Sequence, residues 1–560
     1  MKFFKKIFVI LGAYDYRDKI ISSLALAVFF LMIVKMIFFP YGIFGFGDSN
    51  IYTEGLVSKT GIQNINPLFV DYNEADREVS RLVFSGLMKY DPAKEAVVDD
   101  MAVLSINEAK TEYTFTLREG VKWHDGKEVT SDDVFFTYND VVMNPNFPNE
   151  ILKTNFAGVT VEKLDVRAVK FKLEKPNVFF ISNFTTGILP KHILTGVDPS
   201  ELLQHQFNKL PIGTGPYMVT EPAEDFQDGH MQITLSKNPY YYGDQVEIEL
   251  MKFIVFPTMD QLFEDINSVN AVVKVTGKYI SDFQENERFN LLPYQLPQYT
   301  AVFMNMDSPL LKDDKNVRLA LQKAIDKKSL IEMFKDKLPV DTPLMELNQD
   351  EWEYKPSVDE ANGALKESGY LYELADKEKK GPRTNDSSEP LSLNFVVRLY
   401  EEGTDQFEET KQVVSFLKES WEKVGIGIEV EFLPPDVFKE RVMARKYDLL
   451  LVGQSLGYNL DTYSYWHSSQ ATSSGQNLSN YKSFGVDSLI EDIRSVFNEE
   501  KKKRELQDMA EQIKEDIPAV FLYRPIYYYA GDGKVSGITM DGVVFPSDRF
   551  TGISAWKFSR

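Results

Sequence analysis

Tyr113, Phe115 and Leu117 alternate with Thr114 and Thr116, the period-two pattern of a strand with one buried face. Residues 121–124 predict a second short strand running into Asp125-Gly126, a dipeptide suited to a tight turn. Thr130, with Asp133 three residues on, predicts the N-cap of a helix carrying Val134, Phe135, Phe136 and Tyr138. Upstream, residues 73–84 have helical spacing with Val79, Leu82 and Val83 inward. Downstream, a strand at 301–305 precedes a helix whose stripe is Val317, Leu321, Ala324 and Ile325. Residues 391–398 predict a strand, and Val413, Phe416, Leu417, Trp421 and Val424 a helix that Gly425 ends. Ile426, Ile428, Val430 and Phe432 alternate as the next strand. Residues 447–452 predict a buried strand, 488–516 are helical with a charged middle, and 520–523 predict another strand. Tyr527 to Tyr529 alternate across a strand, half of them in the core. The charged, Gly/Pro/Ser-rich segment 376–390 reads as a solvated loop. Strand–helix–strand order of this kind predicts the α/β class.

One segment follows neither period. Residues 20–39 are apolar except for Ser22, Ser23 and Lys35, and as a helix would be about 30 Å long, enough to cross a bilayer. Lys2, Lys5, Lys6, Arg17 and Lys19 precede it, which places residues 1–19 in the cytoplasm and the large remainder outside. A cleaved signal peptide is the competing reading, but the run is long and no small-x-small site follows before Asp48. An uncleaved anchor is expected, with Lys35 snorkelling outward. The chain has no cysteine, which excludes a cysteine-borne lipid anchor, disulfides, thiolate metal sites and a cysteine nucleophile.

A chain of 560 residues, 43% apolar, can bury the cores of two or three domains. Its formal charge of −22 argues against nucleic acid as a partner, since phosphate binding needs a basic surface. None of the five histidines pairs with another at i+3 or i+4, so no helical metal site is encoded locally. Gly453-Gln-Ser455-Leu-Gly457 is a literal GxSxG after a strand, which would make the protein an anchored serine hydrolase. No helical stripe follows it, and Asp461 and His467 lie only a few residues on, whereas triad partners come from separate elements. The stretch 447–466 is a more plausible contact surface. A buried strand breaking into a polar, aromatic loop leaves backbone groups free at a cleft edge, where a peptide can use them.

The string LREGVKWHDGKEVTSDDV (117–134) resembles the signature of the family 5 extracellular solute-binding proteins, the peptide- and nickel-binding subunits of ABC importers. Further similarities follow in family order: NINP at 64–67, FSGL at 84–87, GTGPY at 213–217, NPYYYG at 238–243, Phe303 through Asp326, and ANGALKESGY at 361–370. The resemblance implies a two-lobed periplasmic-binding-protein-like fold (type II, cluster C-like), with an extra domain on lobe I and one N-terminal transmembrane helix. The expected boundaries are a cytoplasmic segment 1–19, an anchor 20–39, a tether 40–53, lobe I from 54–88, 211–296 and 527–560, the additional domain 89–210, and lobe II 297–526. It implies a monomer that binds a peptide or similar small solute and hands it to ABC permease subunits, without catalysis, cofactor or metal. A sensor or adhesion module on the same fold is a further reading. Carried onto this chain, the ligand-contacting positions are Tyr72, Asn73, Glu74, Asn305, Arg398, Gln454, Gly457, Tyr458, Asn459, Asp461 and Trp466. Peptide-binding relatives have a tryptophan where Gln454 stands, and Gly457 stands at the aspartate that holds the ligand's ammonium. Asp461 is the nearby candidate replacement.

Overall fold

The computed structural model describes residues 51–226, 229–372, 381–458 and 460–559, the Tyr72 side chain excepted. The expected anchor at 20–39 lies outside the described residues, and among those described no helix is long and apolar enough to cross a membrane. Lobe I opens with β1 (Ile51–Val57) and helix α1 (Glu74–Val83). An inserted region follows: the hairpin β2 (Met88–Asp91) and β3 (Ala96–Asp99), then β4 (Ala102–Ile106), β5 (Glu112–Leu117), helix α2 (Ser131–Phe135), β6 (Thr160–Lys163) and β7 (Ala168–Lys172). Its four-stranded sheet has the order β4-β5-β7-β6. The chain then completes lobe I through β8 (Tyr217–Val219), β9 (Glu224–Asp225), β10 (Met231–Lys237), β11 (Leu250–Phe256), β12 (Ala271–Val275) and β13 (Asn290–Gln295). Lobe II holds β14 (Gln298–Met304), α3 (Lys315–Lys323), β15 (Lys337–Pro339), β16 (Ser392–Arg398), α4 (Asp405–Lys423), β17 (Gly427–Leu433), β18 (Leu449–Ser455), α5 (Phe484–Ser495) and α6 (Glu499–Asp516). Strand β19 (Ala519–Gly531) then runs back into lobe I.

That last strand holds the lobes together. The main sheet has the order β17-β16-β18-β14-β19-β12-β1-β11-β10-β8. One half of β19 pairs with β14 in lobe II, and the other half with β12 and β13 in lobe I. Its side chains divide accordingly: Val520 and Leu522 join a lobe II core around Trp421, and Tyr529 joins the lobe I core around Val79 and Trp123. The inserted sheet shares that lobe I core through Phe115 and Phe171.

Most predicted elements form where the patterns placed them, with five differences. Residues 51–53, expected in the tether, belong to β1, where Tyr52 is buried opposite Met251 of β11. The segment 121–124 makes one bridge, Lys122 to Glu128, rather than a strand. Helix α2 widens into a π-helix over Phe136–Val142. The helix expected over 488–516 is two, because the Asn498 side chain accepts from the Lys501 N–H at 2.9 Å and caps a new helix there. The strand expected at 520–523 and the one at Tyr527 to Tyr529 are a single element.

The signature segments converge on one joint. His124 Nδ1 accepts from the Gly213 N–H at 3.1 Å, and Nε2 lies 3.2 Å from the Gly215 carbonyl. The Gly215 N–H donates to the Val83 carbonyl at 2.8 Å, and Asn238 Nδ2 donates to the Gly215 carbonyl at 2.8 Å. A Cβ at Gly213 would lie 1.9 Å from the Val83 oxygen, so only glycine allows the backbone to close on the end of α1. Thr130 and Asp133 form the predicted cap, the Thr130 N–H donating to Asp133 Oδ2 at 2.9 Å.

Candidate functional site: the interlobe cleft

Strand ends and the loops after them form the facing edges of the lobes, the usual position for ligands in α/β sheets. On the lobe I side, Asn73 caps α1. Its Oδ1 accepts from the Ala75 N–H at 3.1 Å, while its Nδ2 donates to the Gly61 carbonyl at 2.6 Å. Glu74 pairs with Lys274 at 2.7 Å. Lys274 reaches it from a register shift in the β12–β19 pairing, where its φ is +65°. A bulge re-aims a side chain in this way. Burial opposes both charges, but each partner prevails, holding the Glu74 carboxyl below its ordinary range and the Lys274 ammonium above its own. The pair still keeps 39% and 34% of its side-chain surface exposed, so it faces open space and not the core.

Behind this wall lies a rigid support. Arg549 is fully buried and pairs with both Glu54 and Glu78, its Nη1 lying 2.6 Å from Glu78 Oε2. The Tyr529 hydroxyl donates to Glu54 Oε1 at 2.7 Å and lies 2.9 Å from that of Tyr52. Burial pushes Glu78 up to about 7, against the pull of Arg549.

Lobe II reaches across through Tyr458. Its ring stacks on Tyr90 at 4.9 Å and meets Phe545 edge-on at 5.0 Å, both lobe I residues. Its hydroxyl donates to Asp548 Oδ1 at 2.8 Å. Burial raises the Asp548 carboxyl above its ordinary range, with Arg81 opposing. A second crossing is the ion pair of Lys59 with Glu401. The inserted region also touches lobe II, the Val178 N–H donating to the Arg494 carbonyl at 2.7 Å.

The loop carrying Tyr458 has left-handed residues at Gly457 (φ +73°) and Leu460 (φ +53°). Glycine takes the left-handed backbone at 457 without steric cost. Asp461 accepts from the Tyr463 N–H at 3.0 Å and pairs with Arg494 at 3.0 Å. Tyr465 is pushed up to about 12 by burial, with Asp461 of its own lobe and Asp71 of lobe I adding to the effect. Arg398 ends β16 beside a cavity of about 130 Å³ lined by Thr300, Glu409, Gly453 and Tyr523.

The structure thus gathers Asn73, Glu74, Arg398, Gly457, Tyr458 and Asp461 at the facing edges. It places three other expected contacts elsewhere. Gln454 is buried, its Oε1 accepting from the Tyr299 hydroxyl at 2.5 Å. Trp466 packs in the lobe II core against Phe303 and Phe521. Asn305 sits at the far end of β14, donating to the Tyr447 carbonyl at 2.9 Å, on a separate groove of about 420 Å³. The Tyr72 side chain and Asn459 lie outside the described residues. The partners expected for Ser455 are engaged otherwise: Asp461 with Arg494, and His467 with Ser469 at 2.9 Å. Among the described residues no group of three or more His, Asp or Glu is arranged to hold a metal ion. Sequence patterns gave no sign of Lys274, Arg494, Asp548 or Arg549 at these positions.

The family model for bacterial extracellular solute-binding proteins, family 5 (middle), matches residues 94–476. The oligopeptide-binding protein AppA of Bacillus subtilis is 27% identical over 484 residues, spanning 83% of this chain and 85% of that protein. The structure of AppA from Bacillus subtilis in complex with a nonapeptide superposes with a TM-score of 0.72 at 24% identity, covering 91% of this chain and 99% of that one. NikZ from Campylobacter jejuni in complex with Ni(L-His) gives 0.74 at 25% identity, with coverages of 91% and 99%. The family match spans well over half of the sequence, and the chain therefore belongs to the bacterial extracellular solute-binding proteins, family 5.

Proposed function

We propose that this protein is a membrane-anchored extracytoplasmic receptor that encloses a peptide between its lobes and delivers it to the permease of an ABC transporter. The observation that carries this reading is the cleft itself. Two lobes share crossing strands, polar pairs line each edge, Glu74–Lys274 on lobe I and Asp461–Arg494 on lobe II, and Tyr458–Asp548 bridges the gap. Ligand contacts to both edges favour the closed form to the extent that they are absent in the open one. In this reading Asn73, Glu74, Arg398, Gly457, Tyr458 and Asp461 border the ligand, and catalysis has no part. The apolar segment 20–39 supplies the anchor. The test is native mass spectrometry of residues 48–560 after mixing with a pool of synthetic peptides. Retained peptide supports the proposal, and retention of none at concentrations above 1 mM, by rough reference to weak binding, refutes it. Alkaline extraction of membranes carrying the full chain tests the anchor: release into the soluble fraction would count against it.

A further inference from the structure

Arg524 is an unpaired cation at the junction of the lobes. It lies on β19 at the crossing, opposite Leu338 of β15 and three residues before Tyr527, whose ring lies 5.1 Å from the Lys274 ammonium. The register of β14 against β19 shifts between Thr300 and Ala301, so Thr300 faces Tyr523 and Ala301 faces Phe521. Alternation from Tyr523 then turns Arg524 to the side of Tyr299 and Phe521, from which the Tyr458 loop departs.

Its guanidinium makes no hydrogen bond and no ion pair with any described residue, and its Nε is buried without a partner. Burial alone pulls this group below its ordinary value, and no carboxylate offsets it. Several other cations of the two lobes are matched, Lys274 by Glu74, Arg77 by Asp71, Arg494 by Asp461, and Lys337 by Asp336 and Glu409, while Arg398 lies over the Tyr400 ring. The chain carries −22 overall, so an arginine left unmatched here is not for want of acidic residues. A half-buried guanidinium without a counter-ion is unfavourable unless something else supplies the anion, and its planar fork suits a carboxylate.

We infer that Arg524 binds a carboxylate of the ligand peptide, so that a peptide carrying that carboxylate is preferred to its counterpart lacking it. The inference rests on the peptide reading above and adds the chemical class. The carboxylate comes either from an acidic side chain or from the peptide's C-terminus, and the probes separate the two. Alanine-based peptides of four to eight residues would be offered in competition in four forms: with one central Glu or Gln, each as free acid or C-terminal amide. Binding is read by native mass spectrometry for the wild type, Arg524→Gln and Arg524→Lys.

The wild type is expected to favour one acidic form over its neutral counterpart by about tenfold or more, as sites built for a charged group reject isosteres lacking it. Loss of preference on Glu→Gln identifies the side chain, and loss on amidation identifies the terminus. Arg524→Gln is expected to remove the preference while keeping neutral peptides, and to melt no lower than the wild type, since no native contact is lost. If that variant fails to fold, Arg524→Lys must show a weakened preference. Equal retention of acidic and neutral forms by the wild type, or a preference intact in Arg524→Gln, overturns the assignment and leaves the peptide reading standing. Retention of no peptide in any form overturns both.

Discussion

Tyr458 offers the most direct handle on lobe closure. Its hydroxyl is the donor to Asp548, a carboxylate with 0% exposure, and the bond spans the gap between lobes at 2.8 Å. Tyr458→Phe removes that donor while leaving the ring stacked on Tyr90 and against Phe545. Hydrogen bonds to charged groups are worth about 1.5–3 kcal/mol. When the lobes part, water takes over both groups, so the loss falls on the closed form alone. At about 1.4 kcal/mol per tenfold, the closed-to-open ratio of the ligand-free protein should fall roughly 10- to 100-fold. Because the chain has no cysteine, spin labels can be placed singly in each lobe, at Glu264→Cys and Lys423→Cys, both exposed. Distance distributions by pulsed electron resonance then report the closed fraction directly. Peptide affinity should fall by up to the same factor, and circular dichroism melting of lobe II should be unchanged. If the closed fraction and the affinity are both the same in Tyr458→Phe, the tyrosine is a bystander and the reasoning fails.

His124, held neutral inside the signature joint, is lowered to about 4 by burial. A group depressed from about 6.5 gives stability that is present above pH 6.5 and lost as pH falls toward 4, here about 3 kcal/mol. His124→Gln should flatten that part of the stability–pH curve; the readout is the difference from the wild type, because Glu78, raised to about 7, slopes the opposite way. Arg549→Met strands Glu54 and Glu78 in the core and should cost about 3–5 kcal/mol in urea unfolding, whereas a loss under 1 kcal/mol would mean the acids protonate freely. If Asp461 meets the ligand itself, Asp461→Ala should weaken peptide binding by calorimetry more than Arg494→Ala does; equal losses would mean the aspartate acts only through its ion pair.

The periodic parts of this fold were legible because each obeys a single local rule. Helix α1 shows its stripe of Val79, Leu82 and Val83, and all three are fully buried. The GTGPY turn shows its glycines, and steric closeness to Val83 and Leu82 requires them. Strand β19 was read as two pieces because Arg524 and Pro525 interrupt the apolar pattern. A proline inside a strand ordinarily argues for an end or an edge. Here the interruption marks the passage from one core to another, so the pattern breaks while the backbone does not. The helix at 488–516 failed in the opposite sense: Val496 and Phe497 continue the apolar spacing, and only the capping side chain of Asn498 stops it. Apolar period says which face is buried and does not say whether the ladder of hydrogen bonds is continuous.

The site was legible only where contact follows from backbone position. Asn73 and Glu74 begin a helix, Arg398 ends a strand, and Gly457, Tyr458 and Asp461 come after another, so each of these lies at an edge. Gln454 failed because it is still inside β18, where its side chain turns to Tyr299. Trp466 failed because an aromatic in a polar loop can point either way, and this one fills the space beside Phe303. The polar groups that complete the cleft come from positions far apart in the chain, 200 residues for Glu74 with Lys274 and 90 for Tyr458 with Asp548. No spacing rule connects such pairs. Lys274 is aimed by a left-handed φ that a lysine does not advertise. What the chain does disclose locally is scarcity of a different kind: an arginine before a proline in an otherwise apolar strand. In a sequence so rich in carboxylates, a guanidinium at that place with none of the described carboxylates beside it is suited to an anion, which in the inference above arrives with the ligand.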